Sequence, residues 1–120
     1  MFVVSHSSKR SLQVAELICR NLSIILRQYV RMPELNCVIV SYVKVSNDLS
    51  KATIFFTLLD KTKLKVVKKL FAQETKRLRN CLAKKVKLRY IPELRFIYDS
   101  FAEDKERLLN LIHDLPDDEN

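Results

Sequence analysis

Not one of the chain's 120 residues is glycine. Every turn, cap and close backbone approach must therefore be built from residues that carry a Cβ atom. This excludes the Walker-type phosphate loop, the dinucleotide fingerprint, the nucleophile elbow and the EF-hand loop, each of which needs backbone that only glycine tolerates. Collagen-like and flexible-linker chains are excluded as well. The apolar fraction of 48% is that of a globular protein, and a chain of this length fits one core rather than two.

The longest uninterrupted apolar runs, such as Met1–Val4 and Cys37–Val40, are four residues long. A membrane-spanning helix needs about 20 residues and a signal-peptide core roughly 7–15. The expectation is a cytoplasmic protein without membrane contact. Cys19, Cys37 and Cys81 are odd in number and far apart, which matches neither a disulfide framework nor a zinc spacing. They read as small buried hydrophobes.

The net charge of +8 is unevenly spread. Residues 61–95 hold thirteen Lys/Arg against two Asp/Glu, whereas residues 96–120 hold two against eight. A solvated surface normally mixes signs, so a local excess of +11 points to a polyanionic partner.

Apolar residues at Leu12, Ala15, Ile18, Cys19, Leu22, Ile25, Leu26 and Tyr29 recur in steps of three and four. This predicts a helix from Lys9 to Arg31, capped by Ser7 or Ser8 and ended by Pro33. Asn36–Val45 is rich in β-branched residues and reads as a strand. In Lys51–Leu59, Ala52, Ile54, Phe56 and Leu58 alternate with Lys51, Thr53, Phe55 and Thr57, the pattern of a strand with one buried face. Asn47 and Asp48 tolerate left-handed geometry and make local side-chain turns, so the two strands can form a hairpin without glycine.

A second long helix is predicted after Asp60, its buried stripe running through Leu64, Val67, Leu70, Phe71, Leu78, Cys81, Leu82 and Val86. The stripe is interrupted by Glu74 and Thr75, which predicts a kink or break between two shorter helices. The alternative is one continuous helix with a single polar tooth. Pro92–Asp99 reads as a third strand with Leu94, Phe96 and Tyr98 on one face. Ser100 and Glu103 form a capping-box pattern for a last helix, with Leu108, Leu111, Ile112 and Leu115 as its apolar face. The expected boundaries are a flexible terminus at 1–7, one α+β domain at 8–115 and an acidic tail at 116–120. The domain has a three-stranded sheet with helices on one face.

Catalysis finds little support. His6 and His113 are the chain's two histidines, and neither lies in a nucleophile–base pattern. No enzyme, metal or cofactor is expected. Binding finds more. Lys76, Arg77, Arg79, Lys84, Lys85, Lys87 and Arg89 are the candidate phosphate contacts, with Lys68 and Lys69 as secondary candidates. Cations at a helix C-terminus account for Lys84 and Lys85 alone. If about five phosphates are engaged, affinity falls by roughly two orders of magnitude between about 50 and 200 mM salt. Tyr42, Phe55 and Tyr90 are expected to pack against a helix or loop. The alternative is an open sheet face that stacks bases.

Four stretches, taken in order, resemble the ribosome-binding factor A family. They are Lys9–Ile18, the hairpin segment Val43–Ala52 (VKVSNDLSKA), the segment Leu88–Asp99 (LRYIPELRFIYD), and the last helix at its expected distance. The resemblance implies a KH-like fold of the type that begins with a helix, in the order helix, strand, strand, kinked helix, strand. KH domains normally clamp nucleic acid with a glycine-x-x-glycine loop. In this family an alanine-x-glycine step makes a helix–kink–helix instead, and it aligns with Glu74-Thr75-Lys76, where neither small residue is kept. The resemblance further implies a non-catalytic factor that binds the small (30S) ribosomal subunit and its 16S rRNA in late maturation and rRNA processing. Such a factor aids growth in the cold and leaves before translation. The free protein is expected to be a monomer. A second reading, from the charge alone, is an interaction module whose basic face meets an acidic protein.

Overall fold

The computed structural model describes residues 8–101. The expectations for residues 1–7, for the last helix beyond Phe101, for the acidic tail at 116–120 and for both histidines lie outside these residues. The described chain runs α1 (Lys9–Arg27), β1 (Val38–Val45), β2 (Lys51–Leu58), α2 (Leu64–Lys85) and β3 (Glu93–Tyr98).

Ser8 caps α1: its hydroxyl accepts from the Ser11 amide at 3.0 Å. The helix stops at Arg27, four residues short of the expected end. The Asn36 side-chain amide donates to the carbonyls of Leu26 at 2.6 Å and Tyr29 at 3.2 Å, which adds a side-chain donor to carbonyls at and just beyond the helix end. Pro33 instead opens a short 3₁₀ turn, Pro33–Cys37, that leads into β1.

The sheet order is β1-β2-β3, with β1 antiparallel and β3 parallel to the central β2. On β2 the predicted inner face is the observed one, since Ala52, Ile54, Phe56 and Leu58 are all buried. A register shift between Val40 and Tyr42 turns Tyr42 to the outer face opposite Phe55 and returns Val43 opposite buried Ile54. α1 lies over β1, and α2 packs on both α1 and β3. The core between layers holds Ile18, Leu22, Leu26, Leu35, Val67, Leu78 and Leu82. Phe71 stacks on Phe96 at a centroid distance of 3.9 Å, and Phe56 meets Phe71 edge-on at 5.0 Å.

The hairpin turn solves the missing-glycine problem differently from expectation. Leu49, rather than Asn47 or Asp48, takes the left-handed conformation, at φ 63°. One Asp48 carboxylate oxygen accepts from the Ser46 hydroxyl at 2.7 Å, the Ser50 hydroxyl at 2.7 Å and the Ser50 amide at 3.1 Å. The Leu49 side chain packs against the core, and that burial offsets a left-handed cost of about 1–2 kcal/mol.

The structure shows no break at Glu74, Thr75 and Lys76, and follows the alternative of a continuous helix with one polar tooth. α2 is one helix of 22 residues. Thr75 donates its hydroxyl to the Phe71 carbonyl within the helix. Glu74 continues the inward stripe and is 3% exposed, but it is not unpartnered there. Tyr29 and Arg31 reach it from the end of the first layer. Asp60 likewise caps not α2 itself but the 3₁₀ turn Lys61–Lys63 before it, accepting from the Thr62 amide at 3.1 Å. The three cysteines are half-buried rather than buried, and burial, with a smaller contribution from Glu16, pushes the Cys19 thiol up.

Candidate nucleic-acid interface

Every cation singled out in the sequence is exposed. Lys68, Lys69, Lys76, Arg77, Arg79, Lys84 and Lys85 project from α2, while Lys87 and Arg89 follow it in the loop before β3. The side of α2 that carries Val67, Phe71, Glu74, Leu78 and Leu82 is buried. The cations occupy the remaining sides, so they wrap the helix instead of forming one stripe.

Four of them line three separate grooves. Arg77 and Lys84 line a groove with Arg31, beside the C-terminal end of α1. Lys68 lines the opposite groove with Arg95, between α2 and β3. Arg89 meets Arg10 in a cavity at the hairpin end of the molecule. Arg10 and Arg31 lie outside the basic block, and Arg95, the last cation of that block, sits on a strand of mixed charge, so none of the three was singled out in the sequence. The fold alone brings them to α2 and its loop.

Arg79 is engaged within the protein. Its Nε donates to the Pro92 carbonyl at 3.2 Å and an Nη to the Ile91 carbonyl at 2.6 Å. It fastens α2 to the start of β3. Arg77 Nε stands 4.0 Å from Glu74 Oε1, and Arg31 Nε lies 3.2 Å from the same atom. The buried carboxylate thus holds these two cations at the α1–α2 groove, with Tyr29 donating its hydroxyl at 2.8 Å.

Among the described residues Tyr42 and Phe55 stack on each other on the outer sheet face, with centroids 4.4 Å apart and planes 13° apart. Tyr90 is 75% exposed, and the Arg89 guanidinium sits 5.7 Å from its ring centre, within cation–π range. Among the described residues no group of His, Cys, Asp and Glu is placed to hold a metal ion, and no helix is long and apolar enough to cross a membrane.

Two helices covering one face of a mixed three-stranded sheet, in the order α-β-β-α-β, place the protein among KH-like α+β domains. A family model for ribosome-binding factor A matches residues 10–112. The chain belongs to the ribosome-binding factor A family. It is 39% identical over 113 residues to ribosome-binding factor A of Legionella pneumophila strain Paris, covering 93% of this chain and 91% of that one. It is 37% identical over 105 residues to the Coxiella burnetii protein of strain Dugway 5J108-111, covering 88% of each. The fold is similar to the crystal structure of ribosome-binding factor A from Thermus thermophilus. That similarity has a TM-score of 0.64 at 22% identity, over 73% of this chain and 94% of the other. A Thermus thermophilus homology model fitted into the cryo-EM map of a complex with the 30S subunit is similar at a TM-score of 0.56 and 24% identity, over 69% of this chain and 88% of the other.

Proposed function

We propose that this chain is a non-catalytic ribosome-assembly factor that binds the small (30S) ribosomal subunit through its 16S rRNA late in maturation. It acts in the cytoplasm and is a monomer when free. The observation that carries the reading is the cationic shell of α2 and its following loop, where Lys68, Lys69, Lys76, Lys84, Lys85, Lys87 and Arg89 are all exposed. A phosphate backbone matches such a surface, because each neutralised phosphate releases counterions. Family membership and the 30S complex of the Thermus thermophilus protein support the choice of ribosomal RNA as that polyanion.

The test is gradient sedimentation of tagged protein in lysate. Enrichment with free small subunits and absence from whole ribosomes is expected. Changing Lys84, Lys85 and Lys87 together to glutamate abolishes co-sedimentation while the circular dichroism spectrum is unchanged. Wild-type co-sedimentation by that variant overturns the assignment of the surface. A complex that survives ribonuclease and contains a stoichiometric acidic protein overturns the RNA reading.

A further inference from the structure

The cavity at the hairpin end has a volume of about 410 Å³ and is built from three separate segments. The first turns of α1 supply Arg10 and Val14, the hairpin turn supplies Asp48, Leu49 and Ser50, and the loop before β3 supplies Leu88, Arg89, Tyr90 and Pro92. Its walls are apolar, formed by Val14, Leu49, Leu88 and Pro92. Two arginines and one large exposed ring, Tyr90, stand at its margin.

These walls are fastened to one another. The Ser8 amide donates to Asn47 Oδ1 at 3.1 Å, which ties the start of α1 to the hairpin. The Glu93 amide donates to the Ser50 carbonyl at 2.9 Å, which ties the hairpin to the end of the loop. Arg79 holds the loop from the other side through Ile91 and Pro92. A concave apolar site with a few convergent polar groups, already formed, is the usual shape of a small-ligand site.

We propose that this cavity receives a single unpaired nucleotide of RNA. The inference rests on the RNA-binding reading above and adds a base-specific element to it. The base enters between the Leu49–Leu88 walls and the Tyr90 ring. Its flanking phosphates meet the guanidinium groups of Arg10 and Arg89. Asp48 stands at the rim as an ionised acceptor, suited to an N–H on a base edge and unsuited to a third phosphate. A base paired within a duplex cannot reach such a site, so the cavity selects single-stranded segments. The basic face of α2, by contrast, is indifferent to pairing.

The test uses a short single-stranded RNA carrying one 2-aminopurine, alone and annealed to its complement. Wild-type protein is expected to quench the single strand and to bind it more tightly than the duplex. Tyr90→Ala binds the single strand about tenfold more weakly, the loss of one stacked base, with the salt slope unchanged. Tyr90→Phe behaves as wild type. Lys84→Glu weakens both RNA forms and lowers the salt slope, since it removes a phosphate contact. Unchanged melting temperature in Tyr90→Ala confirms that only the site was altered. If wild type binds both RNA forms with normal salt dependence and Tyr90→Ala matches it, the nucleotide pocket is overturned and the basic surface stands. If wild type binds neither RNA, the RNA-binding reading and the pocket fall together.

Discussion

The Tyr29 hydroxyl donates to the Glu74 carboxylate at 2.8 Å across 45 residues of sequence. This bond joins the chain just after α1 to the middle of α2. It also explains how a carboxylate that is 3% exposed keeps its place in an apolar stripe. A buried carboxylate without donors is costly, and here Tyr29 and Arg31 both supply them.

Removing only the hydroxyl therefore leaves the carboxylate short of a donor. Tyr29→Phe is expected to lower stability by about 1.5–3 kcal/mol, the range for hydrogen bonds to charged groups. Combining it with Glu74→Leu restores most of that loss, because an apolar pair needs no donors. Urea denaturation of both proteins checks this. A double variant no more stable than Tyr29→Phe would show that Glu74 contributes by other contacts.

The same bond predicts a response to alkali. Burial, followed by the bond to Glu74, pushes the Tyr29 phenol from its ordinary value of 10.0 up to about 12. Below pH 10 the phenol is protonated whether the chain is folded or not, so its contribution is complete. Between pH 10 and about 12 only the unfolded chain releases the proton, and stability falls as pH rises. Wild type is expected to lose stability across this window more steeply than Tyr29→Phe. Parallel urea midpoints through the window would contradict it.

Periodicity reveals what a segment does by itself, and most of the fold was legible on that basis. The inner face of β2, the face of β3 and the stripe of α1 from Ala15 onward follow from local spacing, but Leu12 is exposed and Ser11 and Val14 are buried in the first turns of α1. The misread positions depend on distant partners. Glu74 looked like a break because Tyr29 and Arg31 lie 45 and 43 residues away. α1 looked longer because the donor that serves its last carbonyls, Asn36, comes from beyond Pro33. The candidate surface shows the same division. Exposure of the lysines on α2 could be read from charge, whereas their grouping with Arg10, Arg31 and Arg95 could not.

The hairpin turn predicts an acid response of opposite sign. Hydrogen bonds from Ser46, then from the Ser50 hydroxyl and amide, hold Asp48 at about 2, below its ordinary 3.8. Its contribution to the turn is present above pH 3.8 and is lost as pH falls toward 2. The amide resonance of Ser50 is expected to titrate with a midpoint near 2 in wild type. Asp48→Asn abolishes that titration. A midpoint at 3.8 would mean that the turn's hydrogen bonds do not form in solution.

Arg79 is exposed on α2 yet bonded within the fold. Its guanidinium fork bonds two successive carbonyls, of Ile91 and Pro92, a geometry that the point charge of lysine does not reproduce. Arg79→Lys is expected to cost about 1 kcal/mol of stability. Its binding to small subunits stays close to wild type once the protein is folded. Lys84→Ala should do the reverse, weakening binding with stability unchanged, because Lys84 has a formal charge at the groove and no comparable bond among the described residues. Thermal melts and co-sedimentation on the two variants distinguish these outcomes. An Arg79→Lys protein as stable as wild type, with weakened subunit binding, would return Arg79 to the RNA-facing set and leave the attachment of β3 to other contacts.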